Sequence, residues 1–236
     1  NTISCSSCHI QANAFSDDAI ASDGVNGTTT RHSMRLINSR FSNERKFFWD
    51  ERAATLELQT SDPIKNHIEM GFSGTSGDGS ITTLITKLQG IGYYKELFKF
   101  VYGTEEITEA KIQSALAQFI RSIQSFDSKY DAGRALATND GQPFSNFTAQ
   151  ENQGKNLFLS PPVFNTNGVR TSGGLGCAGC HRAPEFDIDP NTLNNGIIGT
   201  IAGTGIDTGN TRAPSLRDLV RTDGTTNGPM MHTGVI

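Results

Sequence analysis

Two short segments hold the residues best suited to chemistry: Cys5-Ser6-Ser7-Cys8-His9 and Cys177-Ala178-Gly179-Cys180-His181. Together they use all 4 cysteines of the chain. C-x-x-C-H is the spacing that attaches c-type haem. The two thiols add across the haem vinyl groups, and the following His sets an imidazole beneath the iron. A C-x-x-C pair alone also suits a dithiol redox centre or half a zinc site. Two pairs could in principle surround one zinc with four sulfurs, but neither alternative uses the His that follows each pair. Two covalently bound haem c groups are therefore the expected cofactors, with His9 and His181 as iron ligands. Sulfurs held in thioethers cannot form disulfides, so none is expected. Haem c is attached outside the bacterial cytoplasm, which points to the periplasm.

Each motif needs its own supporting elements, so two cytochrome c-like haem domains with long loops are expected. Their bounds are read as 1–135, including a joining helix, and 136–236. The class is mainly α, because no strand alternation is sustained. A helical stretch is predicted around Glu51–Gln59. Ser80 reads as an N-cap for Ile81, Leu84, Ile85 and Leu88, with Gly90 closing the element. Another helix is predicted near Tyr93–Tyr102, stopping at Gly103. The clearest periodicity runs from Glu109 to Tyr130, with Ile112, Leu116, Phe119, Ile120, Ile123 and Phe126 on one face. Asp131–Phe147 reads as a linker, and Thr148-Ala149-Gln150-Glu151 as a capping box ahead of a helix ended by Pro161-Pro162.

Composition narrows the function classes. The chain has 236 residues, 35% hydrophobic and 19% charged, enough apolar content for a core. A formal net charge of -4 argues against a nucleic-acid partner. No apolar run reaches the length of a transmembrane helix. No signal peptide precedes Cys5, which reads as a mature or trimmed start. Gly71–Gly79 lacks the Gly-Lys-Ser/Thr of a phosphate loop. Asp187-x-Asp189-x-Asn191 begins like a calcium loop but has Thr192 and Ile198 where glycine and glutamate belong.

Further segments carry a family resemblance. Phe48-Trp49-Asp50-Glu51-Arg52-Ala53, Leu58-Gln59, Asp62-Pro63-Ile64 and Glu69-Met70-Gly71 follow the first haem motif in order. Ala213-Pro214-Ser215-Leu216-Arg217 and Gly228-Pro229-Met230-Met231-His232-Thr233-Gly234 follow the second. In these the chain resembles the bacterial dihaem cytochrome c peroxidases and their MauG-type relatives. The resemblance implies that hydrogen peroxide is reduced to water at the first haem. Electrons would come from a small cytochrome c or copper protein through the second haem. A MauG-like oxidase acting on a protein residue and a non-enzymatic dihaem electron carrier are the alternatives.

The resemblance also implies site roles: Glu69 as the acid/base, Gln59 as a distal hydrogen-bonding group, Pro63 as a lining residue and Trp49 as the relay between haems. It suggests a calcium ion between the haems, with Asn227 and the Pro229 carbonyl at ligand positions, although His32 stands where the family usually has Asn. Asp23–Thr30 contains no histidine, so the first iron is expected to keep an open face. His32 and His67 are candidate substitutes for the missing distal His, with structural hydrogen bonding as the competing role. The distal ligand of the second haem would fall beyond Ile236, and Met230 and Met231 are expected to pack near the haems. A homodimer is compatible with the reading. Family members extend past both ends of this sequence, so it reads as a fragment.

Overall fold

A computed structural model describes residues 3–42, 46–187, 199–201, 204–209 and 212–234. The protein is mostly helical among the described residues. Its helices are α1 (Cys5–Cys8), α2 (Leu56–Lys65), α3 (Ile81–Gln89), α4 (Gly92–Tyr102), α5 (Glu109–Ser122), α6 (Lys129–Ala135) and α7 (Ala149–Leu159). Two small antiparallel hairpins complete the regular structure. One pairs β1 (Asp23–Gly24) with β2 (Gly27–Thr28), the other β3 (Pro162–Phe164) with β4 (Arg170–Gly173). No helix among the described residues is long and apolar enough to cross a membrane.

The polar boundary residues set most helix ends. Ser80 and Thr148 form reciprocal capping boxes at the starts of α3 and α7, and Gly103 in the left-handed conformation (φ 76°) closes α4. The helix predicted around Glu51–Gln59 starts instead at Leu56. Thr55 caps it by accepting from the Leu58 amide, while Phe48 and Glu51 hold positive φ and turn the chain beforehand. Pro63 lies inside α2 rather than in a loop.

The periodic stretch from Glu109 to Tyr130 is two helices, not one. Asn38 explains the break. Its side chain accepts from the Ser125 amide (2.8 Å) and donates to the Ser125 carbonyl (3.1 Å), and its own amide donates to the Ile123 carbonyl (3.0 Å). These tertiary bonds take the Ile123–Ser125 backbone out of the helical ladder. Ser128 then caps α6 with Asp131, so a helix occupies the start of the segment read as linker. The buried face is correspondingly narrower: Ile112, Ala117 and Ile120 are buried, whereas Phe119 and Phe126 are exposed.

Helix α5 packs on α2 through a core of Leu56, Ala117 and Ile120, flanked by Leu36 and Phe47. In the second half, Phe144, Tyr130, Phe147, Phe158 and Phe186 form an edge-packed aromatic cluster that joins α6, α7 and the loop after His181. Arg217 anchors this region. It is buried, forms a two-pronged ion pair with Asp131 on α6 (2.8 Å on each prong), and donates to the carbonyls of Ser125 and Pro184.

Candidate functional site

The two C-x-x-C-H segments fold alike. Each forms a single tight helical turn, α1 in the first and a 3-10 turn over Cys177–Gly179 in the second. In both, the His amide donates to the carbonyl of the first Cys, at 2.9 Å for His9 to Cys5 and 2.9 Å for His181 to Cys177. The imidazoles are oriented in the same way too. His9 Nδ1 lies 2.9 Å from the Phe15 carbonyl and 3.2 Å from Ser33 Oγ, and His181 Nδ1 lies 3.0 Å from the Phe186 carbonyl. Phe15 and Phe186 both take positive φ (57° and 56°), the turn that brings each carbonyl back towards its histidine. A proton held on Nδ1 by a carbonyl leaves Nε2 free to bind iron. Burial pushes both imidazoles below the ordinary histidine range, which favours the neutral, ligating form. All four cysteines are free of disulfides. Paired thiols and a pre-aligned imidazole suit haem c at both places.

The first motif opens onto a cavity of about 490 Å³. Its walls include Cys8, His9, Trp49, Arg52, Gln59, Pro63 and Glu69. The structure thus gathers Trp49, Gln59, Pro63 and Glu69 around His9, while Cys177, Cys180 and His181 lie elsewhere. Gln59 and Pro63 project from α2. Gln59 lines the cavity, and its Oε1 is buried with no hydrogen-bond partner.

Glu69 follows α2 in a turn built by Asn66, whose Oδ1 accepts from the amides of Ile68 (2.9 Å) and Glu69 (3.1 Å). Beyond α2, the β1–β2 hairpin clamps this turn: the Val25 amide donates to the Glu69 carbonyl and the Asn26 amide to the Ile68 carbonyl. Gly24 is required there, because a Cβ would stand 2.0 Å from the Ile68 oxygen. Burial raises the Glu69 carboxyl above its ordinary pKa, with nearby Asp62 adding to the rise and the Arg52 charge opposing it. Sequence reasoning gave Arg52 no role, although it sits within the quoted Phe-Trp-Asp-Glu-Arg run. Its guanidinium stacks over Phe48 at 3.5 Å and pairs with Asp50 at 2.9 Å.

Trp49 is buried at 7% exposure. Its indole nitrogen donates to the His32 carbonyl (2.8 Å), its ring meets His232 edge-on with centroids 6.0 Å apart, and its carbonyl accepts from the Arg212 amide. It therefore touches the first cavity and the C-terminal segment together. Arg31 reinforces the seam by binding Asp50 (2.6 Å) and Asp207 (2.8 Å).

The two candidate distal histidines hold structural bonds, as does His232, whose Nε2 lies 3.0 Å from the Gly199 carbonyl. His32 is buried, with Nε2 3.0 Å from Ser16 Oγ and Nδ1 3.0 Å from the Ala19 carbonyl. His67 pairs with Asp78 at 2.8 Å and does not line the cavity. Calcium fits poorly at the positions suggested for it. The Arg35 guanidinium donates to the Asn227 carbonyl and lies 3.5 Å from the Pro229 carbonyl, so a fixed positive charge already faces both oxygens. In the Asp187-x-Asp189-x-Asn191 run, Asp189 and Asn191 lie outside the described residues.

The chain is similar to proteins already known. Residues 1–139 match the family model described as di-haem cytochrome c peroxidase. The methylamine utilization protein MauG of Methylophilus methylotrophus is 28% identical over 243 residues, 99% of this chain and 63% of the relative. The cytochrome c551 peroxidase of Nitrosomonas europaea is 28% identical over 192 residues, 77% of this chain and 46% of the relative. Among solved structures, a MauG-like protein associated with microbial copper homeostasis superposes with a TM-score of 0.66 at 26% identity, over 99% of this chain and 67% of that one. The chain thus spans about half to two thirds of the length of these proteins.

Proposed function

Because the chain belongs to the di-haem cytochrome c peroxidase family, we propose that it reduces hydrogen peroxide to water in the periplasm. A small cytochrome c or copper protein would supply the electrons. The observation that carries this reading is the placement of Glu69, with its raised carboxyl pKa, and of Gln59 in the lining of the same cavity as His9.

Cys5, Cys8 and His9 would hold one haem c, and Cys177, Cys180 and His181 the other, in domains spanning about 1–135 and 136–236. When bound, haem c supplies a redox-active iron at which the peroxide O–O bond can break. The side chains do the remaining work. The carbonyl of Phe15 keeps the His9 proton on Nδ1. Gln59, a lining residue of the cavity, is the distal side chain that would hydrogen-bond the peroxide. Glu69 takes the proton from the near oxygen and delivers it to the far one, so that the far oxygen leaves as water. Two electrons and two protons complete the second water. Trp49 gives those electrons an aromatic bridge between the two halves of the chain.

Glu69→Gln keeps the shape and removes the base. Peroxide turnover is expected to fall by about 10²–10⁴-fold, with the haem absorption spectra unchanged. Wild-type turnover in that variant would remove Glu69 from the chemistry. A second reading, oxidation of a protein residue in the manner of MauG, is favoured by the coverage of nearly the whole chain by a MauG relative. Turnover with reduced small cytochrome as sole donor separates the two, since only the peroxidase needs it.

A further inference from the structure

The segment from Arg31 to Arg35 threads between the two halves of the protein. Arg31 reaches Asp207, the His32 amide donates to the His232 carbonyl (2.8 Å), and Ser33 Oγ lies 3.2 Å from His9 Nδ1. Arg35 ends the run. Its guanidinium donates to the carbonyls of Asn227 and Pro229. The Asn227 amide is fixed by its own donation to the Asp218 carbonyl (3.1 Å), which leaves its buried Oδ1 without a partner. The joint thus sets two backbone carbonyls on one guanidinium, whose charge burial disfavours and the Asp218 carboxylate supports.

Calcium needs six to eight oxygen ligands at roughly 2.3–2.6 Å. A guanidinium on two of the carbonyls repels a divalent ion from the same oxygens. The His32 ring has both nitrogens committed to Ser16 and Ala19 and offers no amide oxygen.

We propose that the Arg35 side chain is the resident cation of the joint between the two halves, and that it takes the place of the calcium ion suggested there by family resemblance. A guanidinium tethered to the chain cannot be lost by dilution or chelation. The joint beside Trp49 and His9 is therefore held without regard to calcium supply. This holds whichever reaction the haems perform.

The test uses the full-length, haem-loaded protein. Its calcium content is measured by elemental analysis after gel filtration, and its thermal unfolding is followed with EGTA and with millimolar calcium chloride. The expected result is no bound calcium and the same midpoint in both. Arg35→Met, which keeps the chain length and removes the charge, should lower the midpoint by about 3–10 °C. Arg35→Lys should recover part of that loss. One calcium per chain that EGTA removes, with a fall in the wild-type midpoint, would overturn the proposal. So would an Arg35→Met protein as stable as wild type. Should Arg35→Met fail to fold, the calcium measurements on the wild type decide the matter alone.

Discussion

In the proposed reaction, Glu69 concentrates the acid–base chemistry of the first cavity into one carboxyl. Its pKa is raised chiefly by burial, so it stays protonated to a higher pH than an ordinary glutamate. The ionised form is the one that can take a proton from peroxide. Activity should therefore climb as pH rises through the raised pKa, with a midpoint above the free-glutamate value of about 4.3. Arg52 opposes the rise, and Arg52→Gln should move the midpoint further up. A pH profile of kcat/KM for both proteins reads this directly, and an unshifted or downward-shifted midpoint in Arg52→Gln would disprove the coupling. Trp49 is the second residue with a separable role. Trp49→Phe retains most of the packing but removes the easily oxidised indole and its bond to the His32 carbonyl. Reaction of peroxide at the first haem should persist, while electron delivery from the second haem and steady-state turnover slow markedly. Unchanged transfer between haems in a stably folded variant would leave Trp49 as a packing residue only.

At the scale of elements, the placement of Glu69 depends on the β1–β2 hairpin. Gly24→Ala would drive a methyl group into the Ile68 carbonyl, so the hairpin and the Glu69 turn must separate. A loss of about 1–3 kcal/mol, together with reduced turnover, is expected in chemical denaturation and activity assays. Arg217 is the corresponding anchor for the second motif. Arg217→Met strands the Asp131 carboxylate and should cost about 3 kcal/mol. The Arg217 hydrogen bonds hold the Asp131 pKa below its ordinary value. The stabilisation from this pair is therefore complete above the unfolded carboxylate pKa of about 3.9 and disappears as pH falls through the lower folded value. The wild-type midpoint should drop more steeply than that of Arg217→Met as the solution is acidified below about pH 4.

These elements also mark how far sequence reading reached. The C-x-x-C-H spacing encodes its own local geometry, so both haem motifs were legible, as were the caps at Ser80 and Thr148. The break between α5 and α6 was not, because Asn38 creates it from 87 residues away. The Glu69 clamp was equally hidden, since a carbonyl must approach Gly24 closely before that glycine acquires meaning. Arg35 lay in plain view, but its role depends on two carbonyls almost two hundred positions further on.

Across the whole molecule, the two motifs share one design while their surroundings diverge. His9 opens onto a cavity lined by Glu69 and Gln59, whereas Phe186, whose carbonyl faces His181, belongs to an aromatic cluster tied down by Arg217. The proposed reaction, which follows the family resemblance, puts peroxide chemistry at the first haem and electron supply at the second. The two motifs, 172 residues apart in sequence, are linked by Trp49, Arg31 and Arg35, all reaching the C-terminal segment. The first iron is expected to keep an accessible face: His32, although it lines the cavity, has both ring nitrogens engaged, and His67 and His232 hold partners of their own. This central claim is tested most directly by mixing the fully oxidised, haem-loaded protein with cyanide and following the haem absorption bands. The account predicts prompt binding at one haem without prior reduction. A first haem that is low-spin, held by two histidines and inert to cyanide until reduced would contradict it.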